Sequence, residues 1–124
     1  MNGNSILADT NILIYLLQGN KAVTDYLDGK DVYISFVTEL ELLSFPQLTK
    51  DEFKKINQLL SSVKIIDINT SIKKSTIELR SKHKFKLPDS IVLATAGFLN
   101  IVAVTSDKQL LKAEKEIRVH MCDL

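Results

Sequence analysis

The sequence is poor in the features that announce many function classes. One cysteine, Cys122, stands among 124 residues, so no disulfide can form within the chain and nothing calls for an oxidising compartment. A basic leader is missing: the first lysine is Lys21, and Asp9 interrupts the only early apolar stretch, which predicts no secretory signal. The apolar tract 91–104 is too short for a bilayer and is broken by Thr95, Gly97 and Asn100. Gly3, Gly19, Gly29 and Gly97 stand singly, so there is no glycine-rich phosphate loop. Neither His83 nor His120 has a second His or Cys at ligand spacing, and no Ser or Cys nucleophile motif is present. Secretion, membrane insertion and disulfide scaffolds are set aside, and a cytoplasmic setting is expected.

What remains is ordinary in composition. Apolar residues make up 45% and charged residues 25%, as in soluble globular proteins. At 13.9 kDa such a chain folds to roughly 6,700 Å² of surface from about 20,000 Å² when open, enough for one core. A single domain over residues 1–124 follows, with no linker, repeat or low-complexity segment. Five short apolar or β-branched runs read as strands: SILAD (5–9), DVYIS (31–35), VKIID (63–67), IVAVT (101–105) and IRVHM (117–121). Helical stretches separate them. Residues 11–18 and 21–28 stop at Gly19 and Gly29, where left-handed caps are wanted. Residues 52–62 carry the stripe Phe53, Ile56, Leu59 and Leu60. Residues 71–83 follow, and then a helix from Pro88, at its favoured first position, to about residue 99. Strands alternating with helices imply βαβ crossovers and a parallel sheet covered on both faces. In such folds the carboxyl edge of the sheet holds the site.

Net charge is only +1, but its distribution is uneven. Lys73, Lys74, Arg80, Lys82, Lys84 and Lys86 face Glu78 alone, a local sum of +5, which leaves 10 basic and 14 acidic residues elsewhere. A basic strip on an otherwise acidic chain is the expected footprint of a nucleic-acid backbone site, although a face of lysines is more often simply solvated.

The acidic side chains gather by topology. Asp9 ends the first strand, Asp107 follows the fourth by two residues, and Asp89 opens the helix leading into that fourth strand. Residues 37–43 form a helix after the second strand, bringing Glu39 and Glu41 to the same edge. Singly, each acid has a plain explanation: Asp9 or Thr10 caps a helix, Asp89 complements a helix dipole, and residues 106–109 read as a capping box with Ser106 as cap. Together they repel. Two carboxylates ~4 Å apart cost about 4 kcal/mol at an effective dielectric of 20, so a cluster asks for protonation or a cation. All-oxygen donors point to Mg²⁺ or Mn²⁺, and such an ion can activate water and neutralise phosphate charge. With Phe36, Val37, Leu40 and Leu43 defining the buried direction, Glu39 and Glu41 flank it equally, and periodicity leaves both open.

These segments resemble the PIN domain in the compact form of VapC-type toxins, nearly end to end. ILADTNILIYLL resembles the family's first strand and Asp-bearing turn, and YISFVTELELLSFP its second strand and Glu-bearing helix. KLPDSIVLATA resembles the Pro-Asp helix start, the most specific match, and VAVTSDKQLL the strand and Thr-x-Asp turn. The family's acid falls three residues after a Ser/Thr, a spacing that runs from Thr38 to Glu41. The resemblance therefore implies an acidic quartet of Asp9, Glu41, Asp89 and Asp107, with Thr10, Asn11 and Thr105 as supporting polar groups. It further implies a parallel sheet in order 3-2-1-4-5, Mg²⁺- or Mn²⁺-dependent cleavage of RNA, a homodimer, and an antitoxin partner. Two departures stand out: Leu110 and Leu111 replace the aromatic often following the last acid, and 42–46 lacks the glycine many members carry.

Two other classes share part of the pattern. A non-catalytic PIN-like module would bind RNA or protein with the acids idle. A receiver domain would use Asp67 as phospho-acceptor, but nothing after His120 supplies the lysine it needs, and the first strand lacks a paired Asp.

Overall fold

The computed structural model describes residues 3–124. Five parallel strands, β1 (Ser5–Ala8), β2 (Asp31–Ser35), β3 (Lys64–Ile66), β4 (Val102–Thr105) and β5 (Val119–Met121), form one sheet in the order β3-β2-β1-β4-β5. This is the α/β arrangement expected. Six helices join them: α1 (Thr10–Leu17), α2 (Lys21–Leu27), α3 (Phe36–Leu43), α4 (Lys50–Ser62), α5 (Thr70–Lys82) and α6 (Leu87–Leu99). A 3₁₀ helix, Lys108–Ala113, follows β4.

Local chemistry fixes the ends. Gly19 and Gly29 take left-handed conformations, φ 79° and 74°, as the stops after α1 and α2 require. Thr49 and Glu52 close a reciprocal capping box at the start of α4. Ser35 is at once the last residue of β2 and the cap of α3, its Oγ accepting the Val37 N–H at 3.1 Å. With no loop between them, β2 delivers α3 directly to the carboxyl edge.

Several expectations shift by a residue. Pro88 is the second residue of α6, behind Leu87 and a Lys86 cap without a side-chain bond; a second position also has no N–H partner to lose. Ser106 does not cap the segment after β4. Asp107 does, its Oδ1 accepting the Gln109 N–H at 2.9 Å, because the Thr105 hydroxyl already holds the Asp107 N–H at 3.0 Å. The Asp67 reading also fails on topology: β3 lies at the sheet's edge and β1 inside it, so Asp67 is exposed and closes only its own turn with the Ile68 N–H.

The interior is split by the sheet into two clusters rather than forming one core. Leu7, Leu93, Ala103 and Leu110 belong to one, Ile6, Ile12, Leu13, Ile34 and Val104 to the other. Helix α3 contributes to both, Val37 to the first and Leu42 to the second. Its expected buried set is corrected accordingly. Leu40 is 56% exposed while Thr38 and Leu42 are fully buried, because the face turned inward lies over a polar edge and the apolar pattern there misleads.

Candidate active site

Burying a carboxylate costs several kcal/mol unless its oxygens are bonded. Asp9, at the turn from β1 into α1, is buried and both its oxygens are taken. Oδ1 accepts the Thr10 N–H at 2.8 Å and Oδ2 the Thr105 hydroxyl at 2.8 Å. Its own N–H donates to the Val104 carbonyl at 2.9 Å, so β4 pins the turn. Burial nevertheless pushes the Asp9 carboxyl up to about 6; the Thr105 and Thr10 bonds oppose this, and the charges of Asp89 and Glu41 add to it.

Glu41 reaches the same place from α3. The Thr10 hydroxyl donates to Glu41 Oε1 at 2.6 Å and stands 3.0 Å from the Thr38 hydroxyl. Asp89 lies half-buried in the first turn of α6. Its carboxyl is also raised, first by burial, then by the charges of Asp107 and Glu41, with Lys86 pulling the other way. The ends of β1 and β4 and the first turns of α3 and α6 carry Asp9, Asp107, Glu41 and Asp89 to the carboxyl edge. Glu39 has no part in these interactions. Asn11, the third supporting group, stands exposed on the first turn of α1, apart from this network.

The donors are all hard oxygens, and neighbouring charges help to raise the carboxyls of Asp9 and Asp89, which suits a divalent cation. Among the described residues, no three His, Cys, Asp or Glu side chains stand gathered to hold a metal ion as they are. Asp9 is buried, whereas Glu41, Asp89 and Asp107 are half-buried; Glu41 is held by the Thr10 hydroxyl and Asp107 by the Gln109 N–H.

The basic strip is entirely exposed, and among the described residues none of its six cations is in an ion pair. It abuts the acids at Lys86. His83 turns away to Glu116, 3.2 Å distant, and His120 stacks on Tyr26 with centroids 4.6 Å apart, so neither joins the acids. A groove of about 460 Å³ opens between α1, the 44–49 loop and α4, lined by Ile14, Leu17, Phe45, Pro46, Leu48 and Ile56 together with Gln18, Gln47, Glu52 and Lys55. The loop turns at Gln47, φ 61°. The family spacing singled out Thr38 in the sequence, but its contact with the Thr10 hydroxyl, between segments 28 residues apart, was not legible there.

An acid-edged parallel α/β domain in the order 3-2-1-4-5 is the class that fold and site define. The PIN domain model matches residues 6–116, and the chain belongs to the PIN domain family. It is similar to a toxin–antitoxin complex from Klebsiella pneumoniae, with 29% identity and a TM-score of 0.79 over 90% of this chain and 94% of that one. FitAcB from Neisseria gonorrhoeae is similar at 25% identity and a TM-score of 0.74, over 92% and 95% of the two chains. VapBC2 from Rickettsia felis, bound to a DNA fragment from its promoter, shares the fold at 20% identity, with a TM-score of 0.81 over 96% and 99%. No match was found among curated protein sequences.

Proposed function

We propose that residues 1–124 form a single PIN-like nuclease unit, a metal-dependent endoribonuclease acting as the toxin of a toxin–antitoxin pair. The observation that carries this is the convergence of Asp9, Glu41, Asp89 and Asp107 at one sheet edge in a PIN family member. In this reading Asp9, Glu41 and Asp89 hold Mg²⁺ or Mn²⁺, and Asp107 helps hold a second ion or orients water. The ion, when bound, supplies Lewis-acid stabilisation of the phosphodiester and activation of water. The chain's own groups do the rest. Thr10 and Thr105 keep Glu41 and Asp9 in place, and the exposed strip ending at Lys86 guides RNA phosphates past the acids.

The Klebsiella pneumoniae likeness supports an antitoxin partner. The groove beside α1, part apolar and part polar, suits an amphipathic helix, from which a basic side chain among the carboxylates would exclude metal. A homodimer and a cytoplasmic setting complete the reading; among the described residues no helix is long and apolar enough to cross a membrane. A rival reading is binding without catalysis. The acids share one edge, but among the described residues no three His, Cys, Asp or Glu side chains stand close enough to hold an ion as they are. Incubating the purified chain with mixed RNAs, with and without Mn²⁺, separates the two. Cleavage that needs Mn²⁺ and is lost in Asp89→Asn is expected. Retention of bound RNA without cleavage at any Mn²⁺ concentration would favour the rival.

A further inference from the structure

We propose that Thr38 is a positioning residue for Glu41, acting through the hydroxyl of Thr10; the inference rests on the proposed metal-binding role of these acids. Thr38 and Glu41 are one turn apart on α3 and so share a face. Thr10 Oγ1 lies between them, 2.6 Å from Glu41 Oε1 and 3.0 Å from Thr38 Oγ1. A hydroxyl has one proton to give, and a carboxylate only accepts. The Thr10 proton therefore goes to Glu41, and the 2.6 Å separation is that of an O–H···O⁻ bond. For its contact with Thr38 to be a hydrogen bond, Thr38 must donate to Thr10. The outcome is a directed chain, Thr38 to Thr10 to Glu41, in which each bond polarises the next.

Other buried helical threonines show that this is a choice. Thr76 and Thr95 give their protons to the carbonyls of Ile72 and Ile91, four residues back, each at 2.7 Å, the usual use of a buried helical hydroxyl. Thr38 is just as buried, yet its hydroxyl is engaged with Thr10 across the interface between α1 and α3. The Asp9 side has the same form: the Asp107 N–H donates to Thr105 Oγ1, which donates to Asp9 Oδ2. There the first donor is backbone. On the Glu41 side it is a side chain, and can be removed by substitution.

The test is calorimetric Mn²⁺ binding to the purified chain, for wild type, Thr38→Val, Thr38→Ser and Glu41→Gln, with thermal melts showing each folded. Valine keeps the shape and deletes the hydroxyl; serine keeps the hydroxyl and deletes the methyl. Thr38→Val should weaken Mn²⁺ about tenfold, as loss of an orienting partner does, and Thr38→Ser should stay within about twofold of wild type. A packing role would not produce that ordering. Equal affinity of Thr38→Val and wild type, or weaker binding by Thr38→Ser than by Thr38→Val, overturns the role of Thr38 and leaves the metal site standing. Absence of Mn²⁺ binding in the wild type overturns both. Wild-type affinity in Glu41→Gln removes Glu41 as the object being positioned, and the proposal with it.

Discussion

Asp9 and Asp89 belong to the same acidic edge but are held in different ways. Asp9 is 6% exposed, with a backbone N–H on one oxygen and a threonine hydroxyl on the other. Asp89 rests half-buried on the first turn of α6, with Lys86 as counter-charge. The difference is one of support. Asp9 is fixed by burial and by bonds on both oxygens, and its burial raises its carboxyl; Asp89 keeps more contact with solvent and has a lysine beside it.

If both acids serve one reaction, both should be indispensable to it despite their unequal burial. Asp9→Asn and Asp89→Asn should each lower Mn²⁺-dependent RNA cleavage by roughly 10²–10³-fold, the range for removing one stabilising group from a transition state. Activity within tenfold of wild type in either variant would break the equivalence.

Their stabilities should differ where their activities do not. A carboxyl raised from 3.8 to about 6 costs the metal-free fold at most about 3 kcal/mol at neutral pH. The folded state binds the proton more tightly than the unfolded one, so this cost is absent below pH 3.8 and fully present once pH has risen through 6. Asp9→Asn should thus be more stable than wild type at pH 7.5, by about 1–2 kcal/mol after loss of one hydrogen bond. The gap should close between pH 6 and pH 4. Asp89→Asn should show the same sign and a smaller gap. Denaturant melts at several pH values measure this, and a pH-independent difference for Asp9→Asn would contradict the buried-anchor account.

Smaller effects test the surroundings. Neutralising Lys82, Lys84 and Lys86 together should flatten the salt dependence of RNA binding by about 1.4–2 in log–log slope, at roughly 0.7 per phosphate contact for a single strand. An unchanged slope would make the strip ordinary solvated surface. Smallest of all, Glu39→Gln should leave cleavage within about twofold of wild type while Glu41→Gln is inactive, since only Glu41 is reached by the Thr10 hydroxyl. Equal losses would erase the distinction between them.

Strand alternation alone brought Asp9, Asp89 and Asp107 to one edge on paper, and the sheet order, taken from the family resemblance, is the one the structure has. These were legible because chain direction decides which end of a strand a residue follows. The choice between Glu39 and Glu41 was not legible from periodicity. Helix α3 presents Thr38 and Glu41 to the interior edge and leaves Leu40 to solvent, against the assumption that apolar residues mark the inside. The shift of the cap from Ser106 to Asp107 was likewise out of reach, because it depends on a hydroxyl in β4 taking the Asp107 N–H. Local pattern records propensity, whereas contacts between distant segments decide which of two adjacent residues does the work.

The bond from the Asp9 N–H to the Val104 carbonyl joins positions at opposite ends of the sequence, and that has a consequence in time. During synthesis the chain emerges from its amino end at about 5–20 residues per second. Strand β1 lies between β2 and β4, so the turn bearing Asp9 lacks one of its walls until residue 104 has left the ribosome. Asp107 comes three residues later still. A chain that has not yet delivered β4 and Asp107 therefore lacks both the wall that pins Asp9 and the fourth acid of the proposed site.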